Sequence, residues 1–147
     1  MGSVLDTTVF IDLERAARAT AASDSAEFVG WSLAGALGRD EEVGISAVTA
    51  SELLHGVHRA SRQYRARREV FVEAVLGVVP VLPFDLLAAR AHARLWAELA
   101  AVGLDVGAHD RMVAATAVSV GWRVATSNIR HFDRVPGLEI VEVHAGT

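Results

Sequence analysis

An α/β fold is predicted for this 147-residue chain on three observations: short apolar runs alternate with longer helical patterns, several of the short runs are β-branched, and one helical stretch has clear start and stop signals. The strands fall at Ser3 to Asp6, Val43 to Ser46, Val78 to Leu82, Arg123 to Thr126 and Glu139 to Val143. Runs this short suit strands covered on both faces, as in a parallel sheet joined by crossover helices. After the first strand, Asp24 or Ser25 can start a helix through Phe28, Trp31, Leu33 and Leu37 that ends near Gly38. Asp85 is placed to cap a later helix in which Leu87, Ala91, Leu95, Leu99 and Val102 share one face. Arg90, Arg94 and Glu98 share another face, and Gly103 stops it. No internal repeat, low-complexity tract or linker composition interrupts the pattern, so residues 1–147 read as one domain.

Composition removes several chemistries. The chain is 52% hydrophobic, enough for a sizeable core. It contains no cysteine, which excludes disulfides, thiol nucleophiles and cysteine-based zinc sites. All 14 basic residues are arginines, so a Schiff-base lysine and a P-loop lysine are excluded as well. No apolar run reaches the roughly 18–20 residues of a membrane span, and no basic segment precedes a hydrophobic leader, which points to a cytoplasmic protein. A net charge of -4 argues against wholesale coating of nucleic acid but permits a local basic patch.

Acidic residues recur where these elements meet. Asp6 ends the first strand, Glu52 follows the second in "ISAVTASELLHGV", and Asp110 opens "HDRMVAATAVSV". Each has a plainer reading. Thr49-Ala-Ser-Glu52 has the spacing of a capping box, and Asp6 and Asp110 can serve as helix-start residues worth about 0.3–1 kcal/mol each. Their joint placement argues for more, because ligands in open parallel sheets bind beyond the carboxyl ends of the strands, where residues distant in sequence converge. Carboxylates gathered in a desolvated pocket repel one another unless a cation is present, and a divalent metal resolves that conflict.

With these motifs in view the chain resembles the PIN-domain ribonucleases, and within them the VapC-type toxins of bacterial toxin–antitoxin pairs. The resemblance rests on "VLDTTVFID", "ISAVTASELLHGV", "HDRMVAATAVSVGWRVATSN" and "NIRHFDRVPGLEIVEV", in that order over nearly the whole length. It implies a three-layer fold with a mostly parallel, twisted, roughly five-stranded sheet flanked by helices. It also implies that Asp6, Glu52 and Asp110 are catalytic ligands of Mg²⁺ or Mn²⁺, with Thr7 and Ser46 as supporting polar groups. The implied partners are an RNA substrate, a small VapB-like antitoxin seated in a groove beside the acids, and a second copy in a homodimer. The stretch "FVGWSLAGAL" and the residues Tyr64, Phe71 and Val75 are candidates for the walls of that groove.

One departure concerns a fourth acid that members of the family often carry near Thr126 to Phe132. The corresponding positions here hold Asn128 and His131. Asparagine still offers a carbonyl oxygen to a hard cation, and Asp133 is a nearby substitute. An all-oxygen cluster suits Mg²⁺ or Mn²⁺, which would activate water for in-line attack on an RNA phosphodiester and leave 3′-hydroxyl and 5′-phosphate ends.

The remaining features read as follows. His55 and His58, three apart on a helix, lack further ligands with zinc spacing and read as surface or groove residues. In "HRASRQYRARRE", Arg59, Arg62 and Arg65 are candidate contacts to RNA or to an acidic partner, against a plainer reading as a solvated helix with an Arg65–Glu69 pair. Asp12 reads as a solvated helix residue, and Trp31, Trp96 and Trp122 as core or interface anchors. Two rival functions remain: a haloacid-dehalogenase-like phosphatase using Asp6 in "DTT" as nucleophile, and a catalytically weakened PIN-like binding module.

Overall fold

The computed structural model describes residues 2–21 and 24–145. In chain order the elements are β1 (Gly2–Leu5), α1 (Thr7–Thr20), α2 (Ser25–Leu37), β2 (Glu42–Ser46), α3 (Ala47–Arg59), α4 (Arg62–Val78), β3 (Val81–Leu82), α5 (Leu86–Ala101), α6 (Ala108–Val120), β4 (Arg123–Thr126), a 3-10 turn (Ile129–His131) and β5 (Ile140–Glu142).

Five strands form one sheet in the order β3-β2-β1-β4-β5, and every pairing is parallel. β2 and β3 extend the sheet to one side of β1, while β4 and β5 extend it to the other. The strand order reverses between β1 and β4, and in open parallel sheets it is beyond the carboxyl ends of the strands at such a point that ligands bind.

Alternation along β1 divides the core. Leu5 faces one helical layer with Val9, Phe10 and Leu13 of α1, Val29 and Leu33 of α2, and Phe71, Val72 and Val75 of α4. Val4 faces the other with Ala91 and Leu95 of α5, Val113 and Ala117 of α6, and Phe132. Helices on both faces of a parallel sheet give the expected three layers. Trp122 lies across Gly2 so closely that a Cβ there would come within 2.0 Å of the indole, so only glycine fits at the start of β1.

Several local expectations hold. Asp24 caps α2, accepting from the Glu27 amide at 3.0 Å, and α2 ends at Gly38. Asp85 caps α5, accepting from the Ala88 amide at 3.0 Å.

Others are corrected. Residues 78–82 do not form one strand, because Val78 ends α4 and only Val81 and Leu82 pair with β2. The capping box is absent: α3 begins three residues earlier, and Ser46 accepts from the Thr49 amide, so Thr49 sits inside the helix and Glu52 lies one turn further on. The buried face of α5 is Ala88, Ala91, Leu95 and Leu99, while Leu87 and Val102 face solvent. Trp31 and Trp96 are 75% and 54% exposed, so neither anchors the core. Arg65 makes no pair with Glu69; it donates to the carbonyls of His58 and Ala60 and ties α4 to the end of α3. Tyr64 is exposed while Phe71 and Val75 are buried, so the three do not form one wall.

Candidate active site

The parallel register that pairs Leu5 with Ala125 brings the next two residues, Asp6 and Thr126, side by side at the rim of the sheet. Asp6 is 3% exposed. Its Oδ2 accepts hydrogen bonds from Thr8 Oγ1 at 2.8 Å and Thr126 Oγ1 at 3.0 Å. Thr8 in turn accepts from the Ser127 amide, and Thr126 from the Asn128 amide, so both hydroxyls are aimed at the carboxylate by the backbone that follows β4. Although Asp6 stands at the N-cap of α1, its side chain makes no capping hydrogen bond. The helix-start reading therefore does not explain it.

Glu52 projects from α3. Its Oε1 accepts from Thr7 Oγ1 at 3.1 Å, and its Oε2 lies 3.5 Å from His109 Nδ1. Asp110 lies in the first turn of α6, with Oδ2 4.0 Å from His131 Nδ1. Burial raises the Asp110 carboxyl to about 6, and the negative charges of Asp6 and Glu52 add to the rise, while His131 and His109 oppose it. The charges of Asp6 and Glu52, from two other parts of the chain, thus reach Asp110. Among the described residues no three acidic or histidine side chains close into a ready-made metal cage. Instead each carboxylate holds its own partners: Thr8 and Thr126 for Asp6, Thr7 and His109 for Glu52, and His131 for Asp110.

The other expected residues divide. Thr7 supports Glu52 directly. Ser46 is buried but turned to Thr49, capping α3 at a distance from the acids in hydrogen-bonding terms. Among the described residues Asn128 makes no hydrogen bond to the acids; its Nδ2 lies 3.0 Å from His131 Nε2. Asp133 is exposed. Arg59 lines a groove of about 320 Å³ that runs from Thr7 and Glu52 between α1, α3 and α4, past Phe10, Leu53, Phe71 and the Glu14–Arg68 ion pair. Arg62 is exposed on α4, outside that groove.

Thr8, Thr126, His109 and Arg111 have no counterpart in the sequence reading. Arg111 is 8% exposed, lies 4.8 Å over the Trp96 ring and pairs with Asp105. Asp105 also accepts from the amides of Val106 and Gly107, which ties the loop before α6 to the helix that carries Asp110. The only sequence signal for Thr8 and Thr126 was the identity of the polar residues flanking the strand ends.

The donor set fits a hard divalent cation. Its acidic members offer only oxygen, Asp6 Oδ1 takes no hydrogen bond among the described residues, and the raised Asp110 carboxyl marks negative charge that no arginine offsets.

Comparison with known proteins agrees with this geometry. A PIN domain model matches residues 3–138. Ribonuclease VapC1 of Rickettsia felis is 32% identical over 144 residues, spanning 97% of both chains. The DNA-bound VapBC structure from Salmonella typhimurium superposes with TM-score 0.76 at 29% identity, covering 97% of this chain and 98% of that one. VapBC-5 of Mycobacterium tuberculosis, a member of the VapBC family of toxin–antitoxin systems, gives TM-score 0.70 at 32% identity with the same coverage.

Proposed function

The chain belongs to the PIN-domain family and, within it, to the VapC ribonucleases; from that premise we propose that it is a metal-dependent endoribonuclease whose centre is Asp6, Glu52 and Asp110. PIN nucleases generally use divalent metals; the ion proposed here is Mg²⁺ or Mn²⁺. The observation that carries the reading is that α6 packs on both β1 and α3, so that Asp6 and Glu52 stand close enough to Asp110 to help burial push its carboxyl up to about 6. A cluster with that much unbalanced charge is organised for a cation rather than for stability.

The chain's own residues have separable tasks. Thr8 and Thr126 occupy one oxygen of Asp6 and leave Oδ1 to the pocket. Thr7 fixes the rotamer of Glu52. The loop held by Asp105 and Arg111 sets where the first turn of α6 delivers Asp110. A bound divalent ion would supply a Lewis acid for the phosphoryl oxygen and a water of lowered pKa. The three carboxylates would hold that ion, and the backbone cleavage would follow from position and electrostatics without a histidine acid–base pair.

By analogy with the VapBC assemblies, the groove bounded by Phe10, Leu53, Phe71 and Arg59 receives a VapB-like antitoxin segment. Its position beside Thr7 and Glu52 lets such a segment cover the acids. Homodimerisation and a cytoplasmic location complete the proposal, with residues 1–147 acting as one PIN-like domain. Among the described residues no helix is long and apolar enough to cross a membrane. The family assignment leaves the phosphatase alternative without support.

The test is incubation of purified protein with total RNA in Mg²⁺, in Mn²⁺ and in chelator, beside Asp6→Asn and Asp110→Asn. Cleavage only in the metal lanes of the unmodified protein is expected. Equal cleavage in every lane would contradict the proposal, and no cleavage in any lane would favour a binding module.

A further inference from the structure

His131 is the histidine of the site with an anchor on each side. Nε2 lies 3.0 Å from the Asn128 amide nitrogen, and Nδ1 points to Asp110 Oδ2 at 4.0 Å. His109 reaches Glu52 with one nitrogen and is 59% exposed, and among the described residues its ring has no second hydrogen-bond partner. Histidines that ligate metals are commonly oriented in this two-sided way, one nitrogen fixed by an outer partner and the other directed inward.

We propose that His131, oriented by Asn128, is a nitrogen ligand of the cation held by Asp6, Glu52 and Asp110, and that it gives the site a preference for Mn²⁺ over Mg²⁺. The inference rests on the metal-site reading above and deepens it. Two donors of one first-row ion, each about 2.0–2.2 Å from it, stand roughly 3–4 Å apart, so the spacing between Nδ1 and Asp110 Oδ2 is already near that of neighbouring ligands. The outer contact is chemically adaptable. Asn128 can donate from Nδ2 to Nε2, or with its amide turned can accept at Oδ1 from Nε2–H. The second arrangement leaves the Nδ1 lone pair free for the ion. Imidazole suits the transition metals, whereas Mg²⁺ prefers oxygen, so an imidazole on the site separates the two ions.

The competing account is an ion pair in which protonated His131 only offsets Asp110. It predicts the opposite sign, because removing a positive charge would strengthen or leave unchanged the binding of either cation. The experiment titrates purified full-length protein with Mn²⁺ and Mg²⁺ calorimetrically and records pulsed electron paramagnetic resonance of bound Mn²⁺. The unmodified protein is compared with His131→Gln, Asn128→Ala, His109→Gln and Asp110→Asn.

The expected result is a directly bound ¹⁴N coupling that disappears in His131→Gln and persists in His109→Gln. Mn²⁺ affinity should fall about 10-fold in His131→Gln and by a smaller factor in Asn128→Ala, with Mg²⁺ affinity changed less than about 2-fold. A ¹⁴N coupling that survives His131→Gln, or affinities unchanged or raised in that variant, would overturn the inference while leaving the acidic site intact. Failure of the unmodified protein to bind Mn²⁺ and Mg²⁺, or full binding by Asp110→Asn, would instead overturn the metal-site reading itself.

Discussion

The two rims of the sheet treat charge differently. At the amino ends of the strands, Glu41 receives Ser3 Oγ at 2.8 Å and Arg123 at 3.4 Å, while Arg123 Nε donates to Ser3, so each polar group in that corner is answered. At the carboxyl ends, Asp6 and Glu52 lie close enough to Asp110 to help push its carboxyl up, and among the described residues the three side chains meet hydroxyls and two histidines as their neighbours in ion pairs or hydrogen bonds. One rim is balanced internally and serves the fold. The other is left in deficit of positive charge, which is the condition for taking up a cation.

Substitutions should separate the rims, and the largest effect belongs to the acids. Asp6→Asn or Asp110→Asn is expected to lower metal-dependent RNA cleavage by about 10²–10³-fold with the fold retained, checked by gel assay beside circular dichroism. Thr126→Val removes one of the two hydroxyls that aim Asp6 and should reduce cleavage by about 10–100-fold, read as a rise in the metal concentration needed for half-maximal rate.

At the opposite rim Arg123→Met leaves Glu41 without its cation, and should lower stability by about 1–3 kcal/mol in urea denaturation. Cleavage under native conditions should change less than about 2-fold, because among the described residues no hydrogen bond or ion pair links Ser3, Glu41 or Arg123 to the acids. A loss of activity as large as that of Thr126→Val would erase the distinction drawn here.

The smallest effect is a pH dependence. Asp110 is raised from its ordinary 3.8 to about 6 in the folded, metal-free protein. A raised carboxyl binds its proton more tightly when folded than when unfolded, so its contribution favours folding at low pH and is lost as pH rises from about 4 through about 6. Lowering the pH from 6.5 to 4.5 should therefore stabilise the metal-free protein relative to Asp110→Asn by an amount on the order of 1 kcal/mol, measured as the difference between their unfolding curves. Metal binding should weaken over the same window, as protons compete for the carboxylate.

Where local chemistry decides, the sequence was readable. Asp24 and Asp85 cap helices because a short oxygen side chain before an apolar periodic run has few better uses. The start of α3 misled for the same reason: Thr49 and Glu52 satisfy the spacing of a capping box, yet Ser46 caps the helix three residues earlier. The middle of the α5 stripe, Ala91, Leu95 and Leu99, is buried as expected, while at its start Ala88 rather than the larger Leu87 meets the core. Among the acids, position at strand and helix ends suggested a shared pocket, and the charges of Asp6 and Glu52 do reach Asp110. Of the two threonines that orient Asp6, Thr126 was beyond local reading, because it lies 120 residues away and only the β1–β4 register makes it a neighbour.

The central claim is tested most directly by calorimetric titration of Mg²⁺ at pH 7.5 into the unmodified protein and into Asp6→Asn, Glu52→Gln and Asp110→Asn. One saturable site is predicted in the first, and a strong loss of affinity in each of the other three. Undiminished binding in any single variant would show that its carboxylate does not belong to the site, and would contradict the convergence of three acids on one ion.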